Sequence, residues 1–98
     1  MNRMNQHVLI VEDEHHLAEG LRFNLEAEGF SAEVVDNGDR ALEVLLDPAR
    51  HFDLVVLDVM LPGRDGFAVA SELRQKQNFV PVLMLTASRM ASSVGFAR

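Results

Sequence analysis

The chain has 98 residues, 48% of them hydrophobic, which is enough for one domain with a buried core but not for two. It contains no cysteine, which excludes disulfides, thiolate nucleophiles and thiolate metal sites. Nucleic acid binding needs a basic surface, so a formal net charge of -6 predicts no direct contact with DNA or RNA. The longest apolar runs are too short to span a membrane, and the N-terminus lacks the apolar stretch of a signal peptide, so we expect a cytoplasmic protein.

The first 29 residues predict a strand followed by a helix. Residues 7–11 are typical of a strand that is buried on both faces, and the acidic loop 12–14 follows directly. Leucines then repeat every four residues between positions 14 and 28, which indicates an amphipathic helix. Gly29 stands where a glycine commonly ends a helix.

The same alternation continues along the chain. We predict three further strands and two further helices, in the order strand, helix, strand, helix, strand, at 30–35, 41–46, 52–57, 66–75 and 80–85. In the last of these helices the spacing of Phe67, Ala70 and Leu73 predicts that all three are buried. Asp65 precedes that helix and is a candidate N-cap.

Unbroken apolar strands that alternate with helices predict a parallel sheet covered on both faces, which is a three-layer, doubly wound α/β fold. Right-handed crossovers bring the carboxyl ends of all parallel strands to one edge of the sheet, where ligands bind in folds of this kind. Glu12, Asp13, Asp58 and Thr86 each follow or end a predicted strand. We therefore expect these four residues to meet at one site.

The residues of that site suggest phosphoryl chemistry. Three clustered carboxylates repel one another, so an ionised set needs a cation, and oxygen ligands favour Mg²⁺. A carboxylate beside Mg²⁺ can act as a nucleophile towards a phosphoryl group, and Asp58 is the candidate nucleophile. The Thr86 hydroxyl is suited to bind a phosphate oxygen, and the small Ala87 leaves room for it.

The sequence resembles the receiver domains of two-component response regulators. Three segments carry this resemblance, in the order and spacing of that family: 8–14 (VLIVEDE), 53–66 (DLVVLDVMLPGRDG) and 80–87 (VPVLMLTA). The resemblance implies a flavodoxin-like sheet with strand order 2-1-3-4. It also implies that Asp58 accepts a phosphoryl group from the phosphohistidine of a sensor histidine kinase.

The resemblance further implies a role for each residue of the site. Asp13 and Asp58 would ligate Mg²⁺ together with the backbone carbonyl of Met60, while Glu12 would hold a metal-bound water. Thr86 would be the switch residue that moves towards the phosphate. The domain would be a signalling phosphoacceptor and not an enzyme, beyond catalysing its own phosphotransfer and dephosphorylation.

The sequence departs from the family pattern after Ala87. Receiver domains have a fifth strand that ends in a lysine, whereas the only lysine here is Lys76, at the end of the third helix. Residues 88–98 do not match the family's fourth helix, and we predict a flexible tail or a short helix there. We therefore expect a single but incomplete domain over residues 1–98, without the usual fifth strand and last helix. An open edge on strand four would favour a dimer or a domain swap.

Two other functions are compatible with parts of this pattern. The absent lysine and fifth strand suggest a receiver remnant that acts as a non-signalling, oligomerising scaffold. A phosphohydrolase would need a second acid two residues after Asp58, but Met60 stands there.

His15 and His16 are adjacent helix positions that point about 100° apart, so we interpret them as solvated. The sequence of the loop after Asp58 resembles that of DNA-binding response regulators. Any DNA contact would therefore come from an output domain that is absent from this chain.

Overall fold

The computed structural model of the protein describes residues 6–85 and the backbone of residues 94–97. Five strands and three helices are present: β1 (His7–Val11), α1 (His15–Ala27), β2 (Ser31–Val35), α2 (Gly38–Leu46), β3 (Leu54–Asp58), α3 (Gly66–Gln75), β4 (Val82–Leu85) and β5 (Val94–Ala97). The four strands and three helices predicted from the sequence are all found, with small differences at their ends.

The strands form one sheet in the order β2-β1-β3-β4-β5. β1 pairs with β2 and β3, and β3 pairs with β4, all in parallel. The predicted order 2-1-3-4 is therefore confirmed. This topology puts the carboxyl ends of β1 and β3 side by side, with Val11 opposite Leu57.

Residues 94–97 differ from their prediction. Val94–Ala97, for which a flexible tail or a short helix was expected, forms the strand β5. β5 runs antiparallel to β4 and pairs with all four of its residues, so it is not a fifth parallel strand. The expectation of an open edge on β4 was wrong, because β5 takes up the hydrogen-bonding groups that an edge strand would expose.

Helices cover both faces of the sheet, because alternate side chains of a strand point to opposite faces. α2 and α3 cover one face, where Leu73 packs in a cluster with Leu9 and Leu57. α1 covers the other face, where Leu25 packs against a cluster that includes Ile10. This is the predicted three-layer α/β arrangement.

Polar residues in the loops fix where the helices begin. Glu14, Asn37 and Asp65 cap α1, α2 and α3, each accepting a hydrogen bond from a backbone N–H three residues further on. The predicted N-cap role of Asp65 is thus confirmed. At the other end of α1, Gly29 has a φ of 97°, the left-handed conformation that ends many helices.

Candidate functional site

The carboxyl edge of the sheet brings three acidic residues together. Asp58 is the last residue of β3, and Glu12 and Asp13 directly follow β1. The Glu12 N–H donates to the carbonyl of Val35 in β2, so the backbone of Glu12 continues the sheet. One carboxylate oxygen from each of the three acidic residues lies within 4.8 Å of the others. The convergence predicted from the strand ends is found for these three residues.

Two of the three carboxylates are buried. Glu12 and Asp58 are each 1% exposed, whereas Asp13 is exposed. In each buried carboxylate, one oxygen accepts a backbone hydrogen bond: Glu12 Oε2 from the Glu14 N–H at 2.9 Å, and Asp58 Oδ1 from the Met60 N–H at 3.1 Å. The other two oxygens, Glu12 Oε1 and Asp58 Oδ2, have no hydrogen-bond partner within the described part of the chain. A buried oxygen without a partner is costly, so this pair indicates a site that a ligand completes.

The electrostatics of the cluster also favour a cation. Burial and, to a smaller extent, the nearby Asp58 together raise the pKa of Glu12 from its ordinary value of 4.5 to about 7, against the opposing effect of the hydrogen bond from the Glu14 N–H. A second charge on the buried pair is therefore unfavourable in the protein alone. A divalent cation between the carboxylates reverses this, because it favours the ionised form of each.

The donor atoms fit a hard metal ion. The cluster offers carboxylate oxygens only, and Mg²⁺ prefers a few carboxylates with the rest of its shell filled by water and phosphate oxygens. The two unpaired oxygens, Glu12 Oε1 and Asp58 Oδ2, can contact a molecule bound at the site without breaking any hydrogen bond. Glu12, Asp13 and Asp58 form the one group of three or more candidate metal-binding side chains in the part of the chain that the structure describes.

The loop after β3 shapes the site around Asp58. We call residues 59–65 the acceptor loop. Its ends meet through a hydrogen bond from the Gly66 N–H to the Val59 carbonyl at 2.9 Å. A Cβ at Gly66 would lie 2.4 Å from the Asp58 carbonyl oxygen, so only glycine permits this approach. Near the start of the loop, the Met60 N–H donates to Asp58 Oδ1.

The other predicted site residues have different outcomes. Thr86 and Ala87 lie outside the described residues; the strand before them ends at Leu85, which pairs with Asp58. Lys76 is the C-cap of α3, a helix that begins just after the acceptor loop and runs away from the site for about 15 Å. Its Nζ lies 3.9 Å from Glu72.

An open groove next to the acidic cluster was not predicted. Its volume is about 1080 Å³, and it lies between the start of α1 and the acceptor loop, lined by Asp13, Glu14, His15, Leu17, Val59, Met60, Leu61, Asp65 and Phe67. Met60 is 58% exposed and Phe67 is 61% exposed. The prediction that Phe67 is buried was wrong, because the first turn of α3 turns this ring towards the groove instead of the sheet.

The histidines lie apart from the acidic cluster or at its margin. His15 and His16 are exposed in the first turn of α1, with ring centroids 6.2 Å apart. On the opposite edge of the sheet, Asp53 accepts a hydrogen bond from the His7 N–H at 2.8 Å and lies 3.0 Å from the His51 ring. The His7 N–H, and next the His51 side chain, lower the pKa of Asp53. This small cluster was missed, because the sequence gives no sign that the starts of β1 and β3 share a carboxylate.

No helix in the described part of the chain is long and apolar enough to cross a membrane.

Comparison with known proteins identifies the family. The profile of the response regulator receiver domain matches residues 8–97. The alkaline phosphatase synthesis transcriptional regulatory protein PhoP of Bacillus subtilis is 42% identical over 84 residues, which cover 86% of this chain and 34% of that protein. The chain spans about a third of the length of the curated relatives it matches.

Solved structures of receiver domains share the fold. The response regulator TrrA from Thermotoga maritima, solved in complex with Mg²⁺ and BeF, is 34% identical with a TM-score of 0.77, over 86% of this chain and 71% of that one. The receiver domain of the sensor histidine kinase PA1611 from Pseudomonas aeruginosa has a magnesium ion coordinated in its active site cleft. It is 28% identical with a TM-score of 0.78, over 87% of this chain and 70% of that one.

The strand order and the acidic cluster define a flavodoxin-like α/β domain with a candidate metal site, and the family match specifies the kind of domain. The chain belongs to the receiver domain family of two-component response regulators.

Proposed function

We propose that this receiver domain accepts a phosphoryl group on Asp58, in a Mg²⁺-dependent transfer from the phosphohistidine of a sensor histidine kinase. The observation that carries the proposal is the state of the Asp58 carboxylate. It is buried, one of its oxygens is held by the Met60 N–H, and the other has no hydrogen-bond donor among the described residues. A carboxylate held in this way is oriented before the reaction begins.

In this proposal the unpaired oxygen, Asp58 Oδ2, attacks the phosphorus atom. A P–O bond forms to Asp58 while the P–N bond to the kinase imidazole breaks, and the imidazole leaves with the electron pair of that bond. Asp58 Oδ1 stays with the Met60 N–H, which fixes the angle at which Oδ2 faces an incoming phosphoryl group.

We assign the metal site to Asp13, Asp58 and the backbone carbonyl of Met60, with Glu12 holding a metal-bound water. When bound, Mg²⁺ would neutralise charge on the carboxylates and on the phosphoryl oxygens. The support from this chain is the set of unpaired and clustered oxygens, and the support from relatives is the metal in the TrrA and PA1611 structures. Thr86 and Ala87 are proposed to contact the phosphoryl group, because they directly follow the strand residue that pairs with Asp58.

Binding of beryllofluoride, which mimics a phosphoryl group on a carboxylate, tests the proposal. We expect ¹⁹F NMR to show a bound signal for the wild type with Mg²⁺ and none for Asp58→Asn. Asp53→Asn is the matched control, since it makes the same change at the opposite edge of the sheet and should bind as the wild type does. A bound signal that persists in Asp58→Asn would show that Asp58 is not the acceptor.

The partners follow from this role. A sensor histidine kinase is the proposed phosphodonor, and both would act in the cytoplasm. The relatives include transcriptional regulators about two and a half times as long as this chain, so we propose that any DNA binding belongs to a separate output domain. The oligomerising scaffold is not proposed, because β5 occupies the edge of β4 that was expected to favour oligomerisation.

A further inference from the structure

The acceptor loop, residues 59–65, is held by two helices through one side chain. Arg64 Nε lies 3.1 Å from Asp39 Oδ1, at the start of α2, and Arg64 Nη1 lies 3.3 Å from Glu72 Oε1, in α3. The planar guanidinium holds its N–H donors in a fixed geometry that reaches both carboxylates, whereas an ammonium group is one compact charge with rotatable donors. Arg64 therefore ties the loop to both helices that cover this face of the sheet.

The backbone of the loop also presses against α2. A Cβ at Gly38, the first residue of α2, would lie 2.2 Å from the Arg64 carbonyl oxygen and 3.0 Å from Val69 Cγ2. Any side chain at position 38 would have to displace the loop or α3. The start of α2 is thus packed closely against the backbone of Arg64, independently of the ion pairs.

The held loop is the same loop that orients Asp58. Its ends are closed by the hydrogen bond between Gly66 and Val59, and within it the Met60 N–H donates to Asp58 Oδ1. Movement of the loop at Arg64 would therefore move the donor that fixes the carboxylate. The ion pairs themselves are largely exposed, with 43% of the Arg64 side chain accessible, so each contributes little to global stability.

We propose that Arg64, resting on Gly38, is a positioning residue: it transmits the packing of α2 and α3 to Asp58 through the Met60 N–H. This inference rests on the proposed function of Asp58 and deepens it. Arg64 does not touch the acidic cluster in the geometry described, so its effect is on the orientation of the site and not on its charge.

Amide hydrogen exchange measured by NMR in the metal-free protein tests the proposal without relying on Mg²⁺ or phosphate. In Arg64→Ala we expect exchange at Met60 and Gly66 to be faster by about tenfold, because local opening of the loop becomes easier. Arg64→Lys should restore only part of the protection. The matched control is Arg40→Ala. Arg40 lies in the first turn of α2, but its side chain forms an ion pair with Glu43 and not with the loop.

Calorimetric titration with Mg²⁺ gives the second readout. We expect Arg64→Ala to bind Mg²⁺ about 3- to 10-fold more weakly than the wild type, the effect of losing support around a metal ligand, while Arg40→Ala binds unchanged. Unchanged exchange at Met60 and Gly66 in Arg64→Ala would overturn the proposal. Faster amide exchange with unchanged Mg²⁺ affinity would overturn the claim that the Arg64 contacts orient the acidic cluster for metal binding. If the wild type binds no Mg²⁺ but exchange changes as expected, the positioning role stands and the proposed function fails.

Discussion

Replacement of Glu12 by glutamine should stabilise the protein when Mg²⁺ is absent. Glu12 is 1% exposed and shares its site with Asp58, and its pKa is raised to about 7. At pH 8 the carboxylate is therefore held ionised at a cost of about 3 kcal/mol relative to the unfolded chain. Because solvent near the edge of the sheet screens part of this cost, we expect Glu12→Gln to increase the free energy of unfolding by about 1 to 3 kcal/mol. The glutamine N–H can also donate to Asp58 Oδ2, which lacks a partner in the described residues.

The chain has no tryptophan or tyrosine, so urea unfolding is best followed by circular dichroism, with EDTA and with Mg²⁺. Mg²⁺ should stabilise the wild type more than Glu12→Gln, because the wild type has the additional carboxylate at the metal site. The exposed Glu43→Gln is the control and should change the free energy of unfolding by less than about 0.5 kcal/mol. A Glu12→Gln variant that is less stable than the wild type in EDTA would refute the reasoning that charge repulsion and unpaired oxygens at this site destabilise the metal-free protein.

Three further predictions concern the stability of the elements that surround the site and of the opposite edge of the sheet. Gly66→Ala should lose about 1 to 3 kcal/mol in urea unfolding, because its Cβ would meet the Asp58 carbonyl oxygen; wild-type stability would contradict this. Leu73→Ala should lose about 2 to 4 kcal/mol and Phe67→Ala less than about 1 kcal/mol, since only Leu73 is buried; equal losses would contradict the exposure of Phe67. The pKa of Asp53 is lowered in the fold, so its contribution to stability is present above its ordinary value of 3.8 and is lost as the pH falls through the folded pKa. Stability curves against pH should therefore fall less steeply in acid for Asp53→Asn than for the wild type, and identical curves would contradict the assignment.

The sequence was sufficient to predict that the carboxylates converge, but not which of their oxygens lack a hydrogen-bond partner. The apolar runs before Glu12 and Asp58 identify parallel strands, and parallel strands have one common carboxyl edge. Which oxygen lacks a partner depends on the path of the acceptor loop, and no periodic pattern describes that path. The contact between Gly38 and Arg64 is likewise long-range and depends on how α2 packs against α3.

Two errors in the sequence interpretation have clear physical causes. Helical spacing alone placed Phe67 with Leu73, but Phe67 lies on the side of α3 that lines the groove and not on the side that packs in the core. The strand Val94–Ala97 was missed because four residues that include a glycine give too short a pattern to indicate a strand. Its formation depends on the edge that β4 offers, which is a tertiary effect.

The most direct measurement for the central claim is the intact mass of the protein after incubation with a small-molecule phosphoramidate. With Mg²⁺, we predict that the wild type gains the mass of one phosphoryl group, that hydroxylamine removes it as expected for an acyl phosphate, and that Asp58→Asn gains none. A wild type that stays unmodified with Mg²⁺, or an Asp58→Asn variant that is modified equally, would contradict the account.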